Sequence, residues 1–506
     1  MVASVLRLDQ VLIPEDAPIR FGTDGWRGII GAEFTFNRLL RAAKAAAAVL
    51  HQTYGKGTTP RIIVGYDRRF LAEQLAAAVA QLLASQGYEV WLSNCAAPTP
   101  AFSWAVKAEG AIGGLVMTAS HNPGIYAGLK VKGAFGGSVP TTVTQAIEAQ
   151  LAQGDPPPVG EAKTDYQAFD PWPSYCAALR THVDPRPIRE AIATGKLQVC
   201  ADVMHGVAAG GLERLLEIPI SEFRRDRDPL FGGGAPEPIG RYLATTQEQL
   251  RQQHSATPTV CLVFDGDADR LAVIDGEGVL YTAQEIIPIL IDHLAQHSSY
   301  RGAVIKSISS SDLVARVAAH HGLAVIETPI GFKYIGDRML AGETILLGGE
   351  ESGGIGYGHH LPERDALLSA LYLLQALVTS GFSVGEYYQQ LQATTNFYSA
   401  YDRLDLTLTS SAQRQKLETM LAEHPFTRIL DMPVSHWDTI DGYKFQLANG
   451  SWLLIRFSGT EPLLRLYCQG KTPEEVQRIL EWANQWAVSV ANNASSTPAG
   501  SSATAG

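Results

Sequence analysis

Long apolar runs are missing from this chain: nowhere do 18 apolar residues stand in succession, whereas a helix that crosses a bilayer needs about 20. Cysteine is scarce as well. Cys95, Cys176, Cys200, Cys261 and Cys468 are scattered without CxxC spacing, several of them within apolar runs. That pattern excludes a thiolate metal centre and suits reduced thiols in an intracellular protein. Positive charge is in deficit, with 40 Lys and Arg against 51 Asp and Glu and a net charge of −11. Such a balance argues against nucleic acid or an anionic membrane as the main partner, and it requires any anionic substrate to find a local basic pocket. Residues 1–14 hold Arg7 and Asp9 inside a short apolar stretch, which is not the pattern of a signal peptide; the expected location is cytoplasmic. What remains is a globular composition, 46% hydrophobic and 18% charged. At about 150 residues per domain, the length predicts three or four domains.

The sharpest chemistry lies in Thr118-Ala119-Ser120-His121-Asn122-Pro123. It follows the apolar run 115–117, so it falls in a tight loop at the carboxyl end of a strand, where open α/β sheets place their ligands. Ser120 is the candidate nucleophile. A serine hydroxyl is weak alone and needs activation; here His121 stands beside it, Asn122 and Pro123 force a turn, and Lys130 lies ten residues on. Upstream, Gly22 and Gly25 flank Thr23 and Asp24 in a segment that ends at Arg27 and Gly28. The glycines allow a tight path that leaves N–H groups for an anion, with Arg20 and Arg27 as charge partners. Between these motifs the pattern predicts an Ala-rich helix over 36–52, a strand over 62–66, a helix over 71–85 capped near Gly87, and a strand over 88–92. That is a βαβ unit with a right-handed crossover. Residues 154–170, rich in proline, glycine and charge, read as a linker.

A second unit runs from a strand over 197–202, past His205 and Gly206, to a strand over 260–264 that delivers Asp265-Gly266-Asp267-Ala268-Asp269-Arg270. Three carboxylates so close are costly without a cation. In an extended strand Asp265 and Asp269 stand roughly 13 Å apart, so they share one ion only if Gly266 and Ala268 let the chain curl. This is no EF-hand: Arg270 stands where that loop needs glycine, and Gly276 where it needs the bidentate glutamate. An all-oxygen site with few protein ligands suits Mg²⁺.

A third unit has a strand over 303–306, a helix over 311–321, a strand over 324–326, the segment 327–333, another strand over 345–347 and the loop 348–354. In that loop Glu350 and Ser352 are flanked by glycines, which permit close approach to a polyol. Three successive α/β units, each ending in a polar Gly-rich loop, suggest an internal repeat. After an apolar helix over 366–378 the texture changes. A hairpin of 443–447 and 452–456, joined through Ala448, Asn449 and Gly450, marks a smaller α+β domain. It carries Arg456, Ser458, Gly459, Thr460 and then Arg465: a guanidinium, two hydroxyls and a turn glycine together fit a phosphate dianion. Residues from about 490 onward are small and polar and read as disordered.

Taken together, these five loops resemble, in order and over about residues 20–465, those of the α-D-phosphohexomutase superfamily, the phosphoglucomutases and phosphomannomutases. The resemblance implies an α/β fold: three related α/β domains with mixed sheets and a smaller α+β C-terminal domain, heart-shaped around a central cleft. The expected boundaries are 1–168, 169–277, 278–391 and 392–490, with a tail over 491–506. It implies Ser120 as the phosphoserine and, with Asp265, Asp267 and Asp269, as a ligand of Mg²⁺. Arg27, His121, Lys130 and Arg270 match catalytic positions. Thr328, Gly331, Lys333 and Arg364 match substrate-binding positions, as do Glu350 and Ser352 for sugar hydroxyls. Arg456, Ser458, Gly459, Thr460 and Arg465 match the phosphate clamp.

Residues 124–130 depart from the commoner family pattern, whereas the loop GEESGG resembles the GEES form of glucose-preferring members more than the forms of the mannose/glucose and glucosamine branches. The expected reaction is therefore the reversible interconversion of glucose 1-phosphate and glucose 6-phosphate, with mannose phosphates as further substrates. A hexose 1,6-bisphosphate serves as intermediate and activator, and Lys130 or His121 as general acid/base. Two alternatives stand beside it: a glucose 1,6-bisphosphate synthase with a separate bisphosphate donor, and a non-catalytic phosphosugar-binding regulator. Retention of Ser120 with all three aspartates counts against the regulator. The expected partners are phosphorylated hexoses, with no nucleic acid and no membrane, and the chain is expected to be a monomer or small homo-oligomer.

Overall fold

The computed structural model describes residues 13–22, 24–253, 255, 257–458 and 463–492. Most of the expected carboxy-terminal tail, from 493 on, lies outside them, as do Thr23, Gly459 and Thr460. The chain folds as two compact units divided between Asn396 and Phe397. Among the described residues no single helix is long and apolar enough to cross a membrane.

The first unit contains three sheets. β1 (Trp26–Ile29), β2 (Arg61–Tyr66), β3 (Glu89–Ser93), β4 (Gly113–Met117), β5 (Tyr126–Gly133) and β6 (Gln167–Phe169) assemble in the order β1-β5-β4-β2-β3-β6. β7 (Gln198–Asp202), β8 (Ser221–Phe223), β9 (Thr259–Phe264), β10 (Leu271–Asp275) and β11 (Leu280–Tyr281) assemble as β11-β10-β9-β7-β8. β12 (Ala303–Ser307), β13 (Val325–Thr328), β14 (Ile345–Gly349) and β15 (Ile355–Tyr357) assemble as β13-β12-β14-β15.

One four-strand pattern recurs in all three. A first strand pairs in parallel with two neighbours, and the later neighbour pairs antiparallel with the strand that follows it: β3-β2-β4-β5, β8-β7-β9-β10 and β13-β12-β14-β15. The expected internal repeat is present as topology. β4, β9 and β14 are buried along their whole length, as strands covered on both faces must be, and this explains why they read as unbroken apolar runs. Each then reverses sharply into its antiparallel partner, and the reversals are the loops of Ser120, Asp265 and Glu350.

Helix ends follow local chemistry. Phe36–Tyr54 starts where the Thr35 side chain accepts from Arg38 N and stops at Gly55, whose N–H donates to His51 O; its alanine face joins the core of the first sheet. Among the segments that differ from the sequence reading are two whose cause is plain. The expected linker over 154–170 supplies β6, paired in parallel with β3 from Trp91 to Ser93. A three-residue edge strand takes its order from its neighbour, so composition conceals it. The helix Phe332–Leu340 also went unread, because Gly331 and Gly336 mask its buried Phe332 and Ile335.

The second unit is one antiparallel sheet with helices Ser411–Glu423 and Pro473–Asn492. β16 (Ala400–Thr407), β17 (Arg428–Ile429), β18 (Met432–Asp438), β19 (Tyr443–Leu447), β20 (Trp452–Phe457) and β21 (Leu463–Gly470) run in the order β16-β21-β20-β19-β18-β17. The expected hairpin is there, with Gln446 opposite Trp452. Leu417, Leu421, Ile479 and Ala483 from the helices share a core with Phe445, Leu453 and Ile455 of the sheet.

Packing of the helix Phe332–Leu340 on β14 leaves no room for a side chain at Gly348, where a Cβ would lie 2.3 Å from Ile335 Cγ2. Gly348→Ala is expected to cost about 1–3 kcal/mol by overpacking, and Ile335→Ala, which removes the clashing Cγ2, to make the loss in the double variant smaller than the sum of the two single losses. Urea midpoints of the two single variants and the double variant check this. Additive losses would rule out that contact as the cause.

Candidate active site

Ser120 closes the turn after β4 with φ at +53°, a left-handed conformation that costs a residue with a Cβ about 1–3 kcal/mol and persists only where the surroundings impose it. Its side chain is fully buried. The backbone N–H donates to Thr118 Oγ1 at 2.9 Å, and Oγ lies 3.2 Å from Asp265 Oδ2 and 3.3 Å from His121 Nδ1. Burial, reinforced by Arg270, Arg27, Lys130 and Arg364, holds the His121 imidazole well below its usual range, so the ring is neutral. Arg27 donates to Asn122 Oδ1 at 2.5 Å and so bounds the loop on its other side.

The aspartate loop curls as the chemistry requires, at one of the two residues expected to allow it. Ala268 takes the left-handed conformation, φ +55°, and Asp265 Oδ1 accepts from Asp269 N and Arg270 N at 3.0 and 3.1 Å. Gly266 serves close approach instead: a Cβ there would stand 2.5 Å from Ser120 O. One oxygen from each of Asp265, Asp267 and Asp269 lies within 4.8 Å of the others. Asp267 Oδ1 and Asp269 Oδ1 are buried without a hydrogen-bond partner, which is how oxygens stand when they are set to hold a cation. Three hard anionic oxygens beside Ser120 fit a small divalent ion.

Lys130, on β5, joins the two loops. Its ammonium lies 2.7 Å from Asp24 Oδ2 and 2.8 Å from both Asp267 Oδ2 and Asp269 Oδ2. Burial works against the charge, but Asp24, Asp267 and Asp269 outweigh it and raise the lysine pKa. Burial, with Asp269 and Asp267 beside it, pushes Asp265 well above the carboxylate range. At Asp267 the burial penalty is outweighed by Lys130 and by a bond from Thr99 Oγ1, and the pKa falls.

The third loop is tied to the second by Leu271 N donating to Gly353 O at 3.0 Å. Glu350 is buried and accepts from Gly331 N at 2.8 Å. Burial and then Glu351 push its pKa up to about 7, against Arg364 and Arg270. Glu351 itself accepts from Ser309 Oγ at 2.5 Å and Ser307 Oγ at 3.3 Å. Arg364 bonds Asp24 and, at 2.8 Å, Asp269 Oδ2, while Arg270 Nε stands 4.0 Å from Asp269 Oδ1. Thr328 is buried at the end of β13, and Ser352 is half-buried at the turn of its loop. Lys333 Nζ lies 3.3 Å from Thr141 Oγ1 and over the Tyr334 ring.

In the second unit Arg456 on β20 is in register with Arg465 on β21. Arg456 Nε donates to Asp441 Oδ2 at 2.9 Å, and Ser458 O accepts from Arg414 Nη1 at 2.9 Å. A cavity of about 600 Å³ opens here, lined among others by Arg414, Glu418, Asp441, Tyr443, Arg456 and Phe457.

Several buried charges of the first unit's site were not singled out from the sequence. Asp24 lies inside the first glycine motif but was read only as part of a turn. Lys132, whose ammonium bonds Glu363 and Ser138 Oγ, follows Lys130 by two residues on one strand face, the signal that could have found it. Glu363 precedes Arg364. Thr99, at the start of the helix Thr99–Ala108, reaches Asp267 from a different sheet and leaves no sequence signal.

Models of the phosphoglucomutase/phosphomannomutase alpha/beta/alpha domains I, II and III match residues 18–157, 173–278 and 282–394, and that family's C-terminal domain matches 409–482. A phosphoglucosamine/phosphogalactosamine mutase of Sulfurisphaera tokodaii is 30% identical over 89% of this chain and 95% of its own length. A phosphoglucomutase/phosphomannomutase of Thermococcus kodakarensis is 27% identical over 91% and 96%. The crystal structure of a Thermus thermophilus protein, whose name as a phosphomannomutase is itself provisional, superposes with a TM-score of 0.80 and 34% identity over 93% of this chain and 99% of that one. Since the four matches take in the Ser120, Asp265 and Glu350 loops and the Arg456 strand alike, this chain belongs to the phosphoglucomutase/phosphomannomutase family of phosphohexomutases.

Proposed function

We propose that this chain interconverts glucose 1-phosphate and glucose 6-phosphate through a phosphoserine at Ser120. The observation that carries the reading is the position of Ser120 Oγ, 3.2 Å from Asp265 of the aspartate triad and 3.3 Å from His121 Nδ1. Mg²⁺ held by Asp265, Asp267, Asp269 and the Ser120 side chain would offset the negative charge of the phosphoryl group. In the first half-reaction the free sugar hydroxyl gives up its proton and attacks phosphorus, the bond to Ser120 Oγ breaks, Ser120 Oγ takes up a proton, and the product is glucose 1,6-bisphosphate. In the second, Ser120 Oγ loses that proton and attacks the other phosphoryl group, whose bond to the sugar oxygen breaks, and the sugar oxygen takes up a proton. His121 is the better acceptor, because the three hydrogens of the Lys130 ammonium are engaged by Asp24, Asp267 and Asp269. Glu350 and Ser352 are assigned to sugar hydroxyls, and Arg456, Ser458, Gly459, Thr460 and Arg465 to a phosphate.

A second reading, glucosamine phosphates as substrate, is favoured by the names of relatives such as the Sulfurisphaera tokodaii enzyme. An ammonium at the sugar asks for an ionised carboxylate free to face it. Here Glu351 is taken up by Ser307 and Ser309, and Glu350 titrates near 7, which suits neutral hydroxyls better.

Equal concentrations of glucose, glucosamine and mannose 1-phosphates, with catalytic bisphosphate, separate the readings. kcat/KM for glucose is expected to exceed that for glucosamine by ~10-fold or more; the reverse order overturns the glucose assignment. Ser120→Ala should lose over ~10³-fold on every substrate, and retained turnover would sink the phosphoserine route.

Asp267→Asn is expected to weaken Mg²⁺ binding by ~10-fold or more, since it removes an anionic ligand from a weakly chelated ion. Unchanged activation in a Mg²⁺ titration would move the metal elsewhere.

Glu350 gives a pH test. As a hydroxyl acceptor it must be ionised, so KM should rise as pH falls through about 7, and Glu350→Gln should lack that limb. Its folded pKa, about 7, lies above the ordinary 4.5, so the folded state holds the proton more tightly than the unfolded chain. The wild type therefore loses stability as pH rises from 4.5 to about 7, a loss Glu350→Gln should not share. A KM limb unchanged in the variant would assign the titration to the substrate.

A further inference from the structure

The turn that presents Ser120 is not held by its own residues alone. Its carbonyl groups point inward, and a buried charged side chain from another strand's end meets them: Arg69, three residues past β2 and 1% exposed. Nη2 donates to Ser120 O at 2.6 Å and Asn122 O at 2.7 Å. Nη1 donates to Pro123 O at 2.9 Å and Tyr126 O at 3.1 Å. Nε donates to Asp67 Oδ2 at 3.1 Å. A guanidinium has five N–H groups in a fixed plane, and all five are used, four of them on the nucleophile turn.

Two further contacts fix the guanidinium in turn. Asp67 receives the backbone N–H of Arg69 at 2.9 Å and a bond from the Thr118 hydroxyl, and Thr118 Oγ1 accepts Ser120 N. The opposite face of Arg69 stacks on the Phe231 ring at 4.8 Å. Arg227, four residues before Phe231, donates to Arg68 O and Arg69 O at 3.0 and 2.9 Å. The loop of Arg227 and Phe231 belongs to the second sheet's segment, which also supplies the aspartate triad. It presses on the same turn from below, since a Cβ at Gly124 would meet Pro229 O at 2.4 Å.

We propose that Arg69 is a positioning residue for phosphoryl transfer: its planar fork gathers the carbonyls of Ser120, Asn122, Pro123 and Tyr126 and thereby imposes the left-handed turn that aims Ser120 Oγ at Asp265. This rests on Ser120 as the phosphorylated residue, but the holding of the turn does not. A fork is needed because four carbonyls converge on two nitrogens in one plane. Lysine offers three donors from a single point, so Arg69→Lys keeps the charge and loses the geometry. Misplacement of a reacting atom by about 1 Å costs ~10²-fold in rate, and Arg69 touches no sugar-binding residue in the third sheet's loop.

The test compares the wild type with Arg69→Lys and Asp67→Asn. Hydrogen exchange at the amides of Ser120, Asn122 and Tyr126 is expected to quicken about tenfold in Arg69→Lys and less in Asp67→Asn, with β2 and β4 unchanged. kcat should fall ~10²-fold in Arg69→Lys with the sugar phosphate KM within about threefold. Exchange equal to wild type, or kcat retained, overturns the proposal. So does faster exchange throughout β2 and β4 with kcat and KM failing together, which marks a merely structural residue; Asp67→Asn decides the same question if Arg69→Lys does not fold. Exchange tests Arg69 whether or not Ser120 is modified. Failure of the wild type to gain a phosphoserine at Ser120 from glucose 1,6-bisphosphate is a separate result that defeats the nucleophile and leaves the exchange result standing.

Discussion

The first unit's site depends on one constraint: a carboxylate taken out of water either meets a cation or is pushed toward its neutral form. Asp24, Asp265, Asp267, Asp269, Glu350 and Glu363 are all buried or nearly so, and removing one partner of a buried ion pair costs about 3–5 kcal/mol. The cations come from other sheets. Lys130 and Lys132 stand on β5 of the first sheet, the aspartates follow β9 of the second, and Glu363 and Arg364 follow β15 of the third. Asp24 alone bonds both Lys130 and Arg364. Charge compensation therefore links the three sheets at the site.

Repetition of one topology puts the chemistry there. In each sheet the chain leaves a buried parallel strand and must reverse at once into an antiparallel neighbour. Such a reversal needs a left-handed residue, and each loop has one: Ser120, Ala268 and Gly353. Only the last is glycine. At Ser120 and Ala268 the strain is carried by residues with a Cβ, and the compensation is visible as the hydrogen bonds that surround them.

How much of this could be read from the amino acids follows from what kind of signal each feature leaves. The strands β4, β9 and β14 were legible because continuous burial writes itself as apolar runs, and the loops because glycine and carboxylate clusters are rare in ordinary turns. β6 was not legible, since its order comes from β3 and not from its own three residues. Among site residues, Ser120, Lys130 and the aspartates stood out by local pattern. Arg69 did not, although it lies beside Asp67 at the end of a strand, because its partners are backbone carbonyls some fifty positions away, and a carbonyl has no letter in the sequence. Gly266 was read, with Ala268, as a residue that lets its loop curl, when its task is close approach to Ser120, a distinction that only packing makes. Gly459 and Thr460 lie outside the described residues.

The net charge of −11 bears on how a phosphorylated sugar is recognised. A dianion is repelled by such a chain at long range, but screening confines that repulsion to about 8 Å at physiological salt. Attraction must then come from cations met at contact distance, and in both units those cations already have carboxylate partners. Arg456 holds Asp441, and Lys130 holds three aspartates. On the proposed reading, a phosphate at Arg456 would meet a guanidinium whose Nε already donates to Asp441. Its gain is the difference between a phosphate, with more oxygens and more charge, and a single carboxylate. On that reading, recognition by exchange would reject weaker anions such as carboxylates, because they offer Arg456 no more than Asp441 already does.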